Sequence, residues 1–147
     1  MLYKFIFFQI MDLYSIVLQN VIIKNISYDQ LPHTIKTDLD QLKNYQSKLM
    51  IAMKLKEQID EKNCFIDDNT FLLEYYEQGL MWNQSYYEEY EEIQNVVERL
   101  EREKEDLEML LGNCESDVIT ARKDIENSKE CNIDCNILLH LEQIYQY

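Results

Sequence analysis

The sequence predicts an all-α protein, namely a long-helix hairpin or coiled coil with short flanking helices. The chain of 147 residues contains only two Gly and one Pro, and folds made of many strands and tight turns need more of both. A seven-residue repeat of apolar side chains runs from 86 to 125. Hydrophobic residues make up 46% and charged residues 29%, which is typical of a folded chain and not of a disordered one.

Residues 1–26 form the most apolar stretch of the sequence. A transmembrane helix needs about 20 predominantly apolar residues, and here Asp12 and Lys24 interrupt the run. A charge such as that of Asp12 costs on the order of 3 kcal/mol near the centre of a membrane helix. We therefore favour a buried amphipathic helix near 11–26, with Leu13, Ile16, Val17 and Val21 at helical spacing. The alternative is a signal peptide, with Lys4 before an apolar core at 5–10, or a membrane anchor formed by residues 1–26.

The only proline, Pro32, indicates a connector at 28–34, because proline disfavours helix in the residue before it and suits a helix start. The residues from about 35 to 62 predict an amphipathic helix that carries most of the lysines. A run of Asp, Asn and Thr at 63–70 then breaks the pattern. We predict a turn there, followed by a second helix from about 70. The apolar stripe of the lysine-rich helix consists of Ile35, Leu39, Leu42, Leu49, Met53 and Ile59.

The most specific pattern is the heptad repeat, in which eleven of twelve a and d positions are apolar or aromatic. Heptads that persist over more than three or four repeats are typical of a coiled coil. Gly112 and Asn113 interrupt the register and leave open whether the helix continues through them. The twelve positions are Tyr86, Tyr90, Ile93, Val97, Leu100, Lys104, Leu107, Leu111, Cys114, Val118, Ala121 and Ile125.

A second interruption from Cys131 to Asp134 separates a last short helix near 134–146. Its predicted apolar face consists of Ile137, Leu138, Leu141, Ile144 and Tyr145. We therefore divide the chain into an apolar N-terminal helical segment, a connector, a helical hairpin and coiled coil, and a short C-terminal helix. These four parts span residues 1–27, 28–34, 35–130 and 131–147, respectively.

The formal charge of −14 is unevenly distributed. Residues 1–62 hold eight Lys and seven Asp or Glu, whereas residues 86–130 hold six Lys or Arg and fifteen Asp or Glu. An acidic surface repels phosphate backbones, so we predict no nucleic-acid partner. In a parallel homodimer Glu103 would face Glu108 of the other chain, and Lys104 would meet its own copy. We therefore expect a heteromer, with a protein partner that supplies a basic or mixed-charge helix.

Two arrangements satisfy these charges. In the favoured one, the lysine-rich helix folds back on the acidic helix at 70–97 and leaves 98–130 free for another chain. In the other, the whole acidic helix pairs with a basic helix of a partner subunit. The partner-binding residues that we predict are seam positions, namely Ile93, Val97, Leu100, Lys104, Leu107, Leu111 and Val118.

The sequence gives no sign of catalytic chemistry, and we predict no catalytic residue, no cofactor and no metal. Cys131, Cys135 and His140 resemble part of a metal site, but structural zinc needs four ligands. The two glycines are isolated from each other, so no glycine-rich phosphate loop is present. The acidic run with Tyr86, Tyr87 and Tyr90 suits tyrosine phosphorylation. The simpler interpretation is that Tyr86 and Tyr90 lie on the seam and that the Glu residues are solvated.

These observations predict a non-catalytic coiled-coil interaction subunit, a scaffold or adaptor, of a heteromeric assembly. The alternative is a membrane-associated coiled-coil protein anchored through residues 1–26. Four cysteines form no dense framework and are read as reduced thiols. We therefore expect the cytoplasm, with the cytoskeleton and the nucleus as further compartments.

Overall fold

A computed structural model describes residues 13–80, 83–129 and 132–147, and within them it contains four α-helices and no strand. Helix α1 spans Leu13–Ile23, α2 spans His33–Leu80, α3 spans Tyr87–Asn127 and α4 spans Cys135–Ile144. A 3-10 turn at Gln84–Tyr86 precedes α3. The all-α class and the hairpin of long helices with short flanking helices are therefore confirmed. Residues 1–12 of the predicted anchor, together with Cys131 of the partial metal motif, lie outside the described residues.

Helix α2 runs without interruption through 63–70, so the predicted turn at this place is wrong. The polar residues there are accommodated within the helix, as when the Asn69 side chain donates a hydrogen bond to the Phe65 carbonyl at 2.7 Å. The seven-residue spacing of Ile59, Ile66 and Leu73 also continues across this segment. The Asp, Asn and Thr residues of this segment are types that often cap helices. The sequence therefore predicted a helix start at a place where α2 is continuous.

Helix α3 continues through Gly112 and Asn113, which settles the continuity that the sequence left open. Among the described residues no glycine has a positive φ, so Gly112 does not form a left-handed helix cap. Nothing lies within 4 Å of a Cβ built at this position. Gly112 is therefore an ordinary exposed helical residue.

The described residues of 13–53 and 114–147 form one compact unit, which we call the four-helix unit. Within its described residues, α1, α4, the first part of α2 and the last part of α3 bury their apolar side chains against one another. Such a core needs one apolar stripe from each helix. The core residues are Leu18, Ile22, Leu39, Leu42, Tyr45, Leu49, Val118, Ala121, Ile125, Ile137, Leu138 and Leu141.

The buried face of α1 differs from the predicted one. Ile16 and Val17 are 41% and 48% exposed, whereas Ser15, Leu18 and Ile22 are buried. Since apolar residues surround this helix on all sides, its pattern alone does not select a face. In α4, Asp134 caps the first turn by accepting a hydrogen bond from the backbone N–H of Asn136 at 2.9 Å. Ile144, which we assigned to the apolar face of this helix, is 43% exposed.

A polar network links three helices of the four-helix unit. The hydroxyl of fully buried Tyr45 on α2 donates a hydrogen bond to Glu142 on α4. Arg122 on α3 pairs with the same carboxylate and with Glu126. Burial, followed by the hydrogen bond and the negative charge of Glu142, raises the pKa of Tyr45 well above its usual value. Because every member has a partner, the network holds α4 in one position.

The raised pKa of Tyr45 predicts a specific loss of stability in alkali. The unfolded chain releases this proton near pH 10, whereas the native Tyr45 keeps it to higher pH. The contribution of Tyr45 is therefore complete below about pH 10 and is lost as the pH rises towards the native pKa. Tyr45→Phe should lower the free energy of unfolding by about 1 kcal/mol at pH 7. Between pH 8 and pH 11 the difference in the free energy of unfolding between the unmodified chain and Tyr45→Phe should decrease by about 1 kcal/mol.

Urea unfolding followed by circular dichroism measures both effects. Tyr75→Phe controls for the loss of a tyrosine at an exposed position, since Tyr75 is 63% exposed. A constant difference between the unmodified chain and Tyr45→Phe across this pH range would contradict the buried position of the Tyr45 hydroxyl.

Candidate functional site

Residues 54–113 form the second compact unit, which we call the hairpin unit. Here α2 and α3 are antiparallel. Lys62 pairs with Glu103, and further along α2 the ring of Tyr76 contacts Tyr86 near the start of α3, with ring centroids 5.7 Å apart. The hydrogen bond and the charge of Lys62 lower the pKa of Glu103 below its usual value. The predicted fold-back of the lysine-rich helix on an acidic helix at 70–97 is wrong, because residues 70–80 belong to α2 itself. Lys62, in the lysine-rich part of α2, instead pairs with Glu103 of α3, beyond that range.

The heptad positions of α3 are the shielded positions of the hairpin unit. Val97 and Leu100 are buried, whereas Met109 and Leu110 on the same helix are 64% and 50% exposed. Lys104, the polar heptad position, is partly shielded and lies 3.7 Å from Glu108. None of the heptad positions from 86 to 111 is exposed. The seam of α3 therefore faces the chain's own α2 within this unit.

This placement bears on the residues that we predicted to bind a partner. Ile93, Val97, Leu100, Lys104, Leu107 and Leu111 all lie in the seam of the hairpin unit, and Val118 lies in the core of the four-helix unit.

The expectation that 98–130 is free of the chain's own helices is wrong. Its first part contains Leu100 and Glu103, of which Leu100 is buried and Glu103 pairs with Lys62 of α2. Val118, Ala121 and Ile125 are no more than 5% exposed and pack in a core to which α1 and α4 contribute. The heptad repeat indicates that this stripe is buried, but it does not indicate which helix covers it. That the seam residues also contact another protein stays a prediction.

An aromatic cluster lies next to the turn between α2 and α3. The backbone N–H of Asn83 donates to the Gly79 carbonyl at 2.9 Å, and the Asn83 side chain accepts a hydrogen bond from the Ser85 N–H at 3.0 Å. A Cβ on Gly79 would come within 3.0 Å of the Tyr86 ring, so glycine permits this close approach. The rings of Tyr75 and Tyr76 stand edge to face. A cavity of about 260 Å³ is lined by Tyr75, Tyr76, Gln78, Gly79 and Tyr86.

A second apolar stripe of α2 faces away from the seam. Phe65, Leu72 and Tyr75 are 49%, 42% and 63% exposed, and Phe71 beside them is 71% exposed. Because an α-helix turns about 100° per residue, positions 65, 68, 72 and 75 share one face, and that face also carries Asp68. We call this set, with Phe71, the outer stripe. Clustered exposed apolar side chains of this kind are typical of an interaction site.

The segment 63–98, which contains the outer stripe, has no Lys or Arg. The ion pairs of the described hairpin unit lie outside it, between Lys62 and Glu103, Arg99 and Glu103, and Lys104 and Glu108. Within the described part of the chain, the nine carboxylates of this segment are therefore without a cationic partner. They are Asp67, Asp68, Glu74, Glu77, Glu88, Glu89, Glu91, Glu92 and Glu98.

Sequence reasoning missed the outer stripe, although its signal is present in the letters. Residues 65, 68, 72 and 75 follow the alternating three- and four-residue spacing of a second helical seam. The assumed turn at 63–70 divided this spacing between two elements, and the stripe was not recognised.

The described residues contain no group of three or more His, Cys, Asp or Glu placed to hold a metal ion. Within the same residues, no helix has the length and apolar character that a membrane span requires. No protein-family model matches the chain, and no curated protein or solved structure is significantly similar to it. The candidate site therefore depends on the residues of the hairpin unit alone.

Proposed function

We propose that this chain is a non-catalytic helical interaction subunit, a scaffold or adaptor, of a heteromeric assembly. The observation that carries the proposal is the exposed apolar surface of the hairpin unit. Two paired helices close one seam and leave Phe65, Phe71, Leu72 and Tyr75 in solvent. Exposing such side chains is unfavourable by roughly 25 cal/mol per Å² of apolar area, so a partner that covers them gains free energy.

The contrast between the two units supports the same proposal. The four-helix unit buries apolar residues from four helices in one core. In the described hairpin unit only Ile59, Val97 and Leu100 are buried apolar residues. A helix in a two-helix pair covers only one of its faces, and a further helix adds the missing burial.

The charges favour a partner with a basic or mixed-charge helix, and a heteromer over a homodimer. A second copy would add carboxylates to a surface that already has them in excess, and nucleic acid would be repelled for the same reason. The cytoplasm is the proposed compartment, which the sparse use of cysteine supports.

Opening the hairpin should abolish partner binding. Leu100→Asp with Leu107→Asp places two charges in the seam, where burial without a partner costs several kcal/mol. We expect the proteins that co-purify with the tagged full chain to be lost. Gln94→Asp with Asn95→Asp is the matched control, because it adds the same two charges at exposed positions of α3. Quantitative mass spectrometry of the purified complexes measures the outcome. Unchanged co-purification with the seam variant would refute the role of the hairpin.

A membrane-associated protein is the second candidate, and the exposed side chains of the N-terminal region favour it. Ile16, Val17 and Ile23 on α1 are 41%, 48% and 45% exposed, and Ile26 after the helix is 49% exposed. Apolar residues at these positions could enter the boundary between lipid headgroups and acyl chains. This alternative places the membrane contact on α1 and leaves the hairpin unit in water.

Vesicle flotation tests the second candidate with the full chain. If α1 binds lipid, the chain should float with vesicles of phosphatidylcholine and phosphatidylserine, and Val17→Glu with Ile23→Glu should remain in the dense fraction. Ile119→Glu with Leu139→Glu is the control, since these residues are also exposed and lie on other helices of the same unit. Failure of the unmodified chain to float would eliminate this alternative.

A further inference from the structure

We infer that the outer stripe is the docking site for one basic amphipathic helix of another protein, which packs beside the hairpin as a third helix. This inference rests on the proposed function and names the surface and the chemistry of its partner. The seam residues would then close the hairpin, and the outer stripe, on the opposite side of α2, would bind the partner.

The apolar part of the outer stripe has the spacing that a helix recognises. Phe65 and Leu72 are seven residues apart, and Tyr75 follows Leu72 by three. Side chains with this alternating spacing form the holes into which the knobs of a neighbouring helix insert. The ten residue steps from 65 to 75 extend over roughly 15 Å of helix, which is nearly three turns. A partner helix of similar length can therefore cover the stripe.

Asp68 makes this surface selective. It is exposed and lies between Phe65 and Leu72 on the face that the partner would cover. Covering a carboxylate without a counter-charge is unfavourable, so an apolar helix would lose free energy there. A Lys or Arg at the facing position would pair with Asp68 and would fix the register of the two helices. The partner must therefore carry a cation inside its apolar stripe.

The residues around the outer stripe also favour a partner that carries cations. Asp67 and Glu74 lie on the edge of α2 next to Phe71, and the whole segment 63–98 lacks a cation of its own. The exposed rings of Phe71 and Tyr75 are also suitable partners for guanidinium groups, which stack on aromatic faces. Lysines and arginines along one flank of the partner helix would thus find carboxylates and aromatic rings together.

The same charges exclude other occupants of the stripe. A second copy of this chain would bring its own Asp68 and its own acidic segment to the contact, where like charges repel. Anionic lipid surfaces and nucleic acids carry the same sign of charge as this segment. The occupant that satisfies the apolar spacing, Asp68 and the acidic flank is a cationic helix from a different protein.

Fluorescence anisotropy with designed peptides tests the inference on the full chain. The probe is a labelled helical peptide of three heptads, with Leu at a and d positions except for one central Lys, and with Lys and Arg on its flanks. A second peptide has the same Leu positions, with Glu in place of each Lys and Arg. The basic peptide should bind with an affinity that decreases as salt increases, and the acidic peptide should not bind.

Two sets of variants separate the apolar from the charged contribution. Leu72→Ser with Tyr75→Ser, and separately Asp67→Asn with Asp68→Asn and Glu74→Gln, should each weaken binding by about tenfold or more. The matched controls remove similar groups from exposed positions of α3. They are Met109→Ser with Leu110→Ser, and Glu101→Gln with Glu105→Gln and Asp106→Asn, and they should change binding by less than about twofold.

Equal weakening by the control variants would overturn the inference, because it would indicate diffuse attraction by net charge. Binding of the acidic peptide with the same affinity as the basic peptide would overturn it as well, and so would failure of both peptides to bind. All the substituted side chains are exposed, and circular dichroism confirms that each variant keeps its helical content. If the peptide fails to bind while the seam variant still loses its co-purified proteins, the interaction role stands and the binding surface lies elsewhere.

Discussion

Closure of the α3 seam by α2 of the same chain is the contact on which the rest of the structure depends. The heptad residues of α3 pack against α2 in the hairpin unit and contribute to the core of the four-helix unit. Because the seam occupies one face of each helix, it determines which side chains remain in solvent. The outer stripe is exposed for this reason, and so are Met109 and Leu110. The proposed partner binding therefore depends on a contact that lies within the chain itself.

The fold class could be predicted because it follows from local properties. Few residues in the chain break helices, and the spacing of α3 repeats every seven residues without a gap. The position of the turn could not be predicted from residue type. Asp67, Asp68 and Asn69 are good helix caps, but in this chain they lie on or beside an exposed face of a continuous helix. The continued spacing of Ile59, Ile66 and Leu73 was the better indicator.

Long-range packing accounts for the remaining errors. The sequence showed that Val118 and Ile125 are buried, but not that the flanking helices bury them, since no local pattern encodes which segments meet. The buried face of α1 was ambiguous for the same reason. The outer stripe, in contrast, is visible in the local sequence pattern. Its residues have a periodic spacing that could have been found once α2 was treated as one helix.

The two units differ in how completely their helices are buried. In the four-helix unit a shared core and the network of Tyr45, Arg122 and Glu142 fix the flanking helix α4. In the hairpin unit the seam is narrow, the surface is apolar and acidic, and the cations lie outside 63–98. A shared core in one unit and an incompletely covered helix pair in the other are consistent with the proposed role as a subunit that folds before it binds a partner.

Carbodiimide coupling of mixed light and isotopically heavy chains is the most direct test of seam closure. The reagent joins an amine and a carboxylate that are in contact by forming an amide with loss of water, and Lys62 and Glu103 make such a contact. After mass spectrometry we expect this cross-link within light chains and within heavy chains, and its absence in Lys62→Ala. Cross-links that join light to heavy chains at these two residues would contradict the account, because the seam would then be closed by another copy.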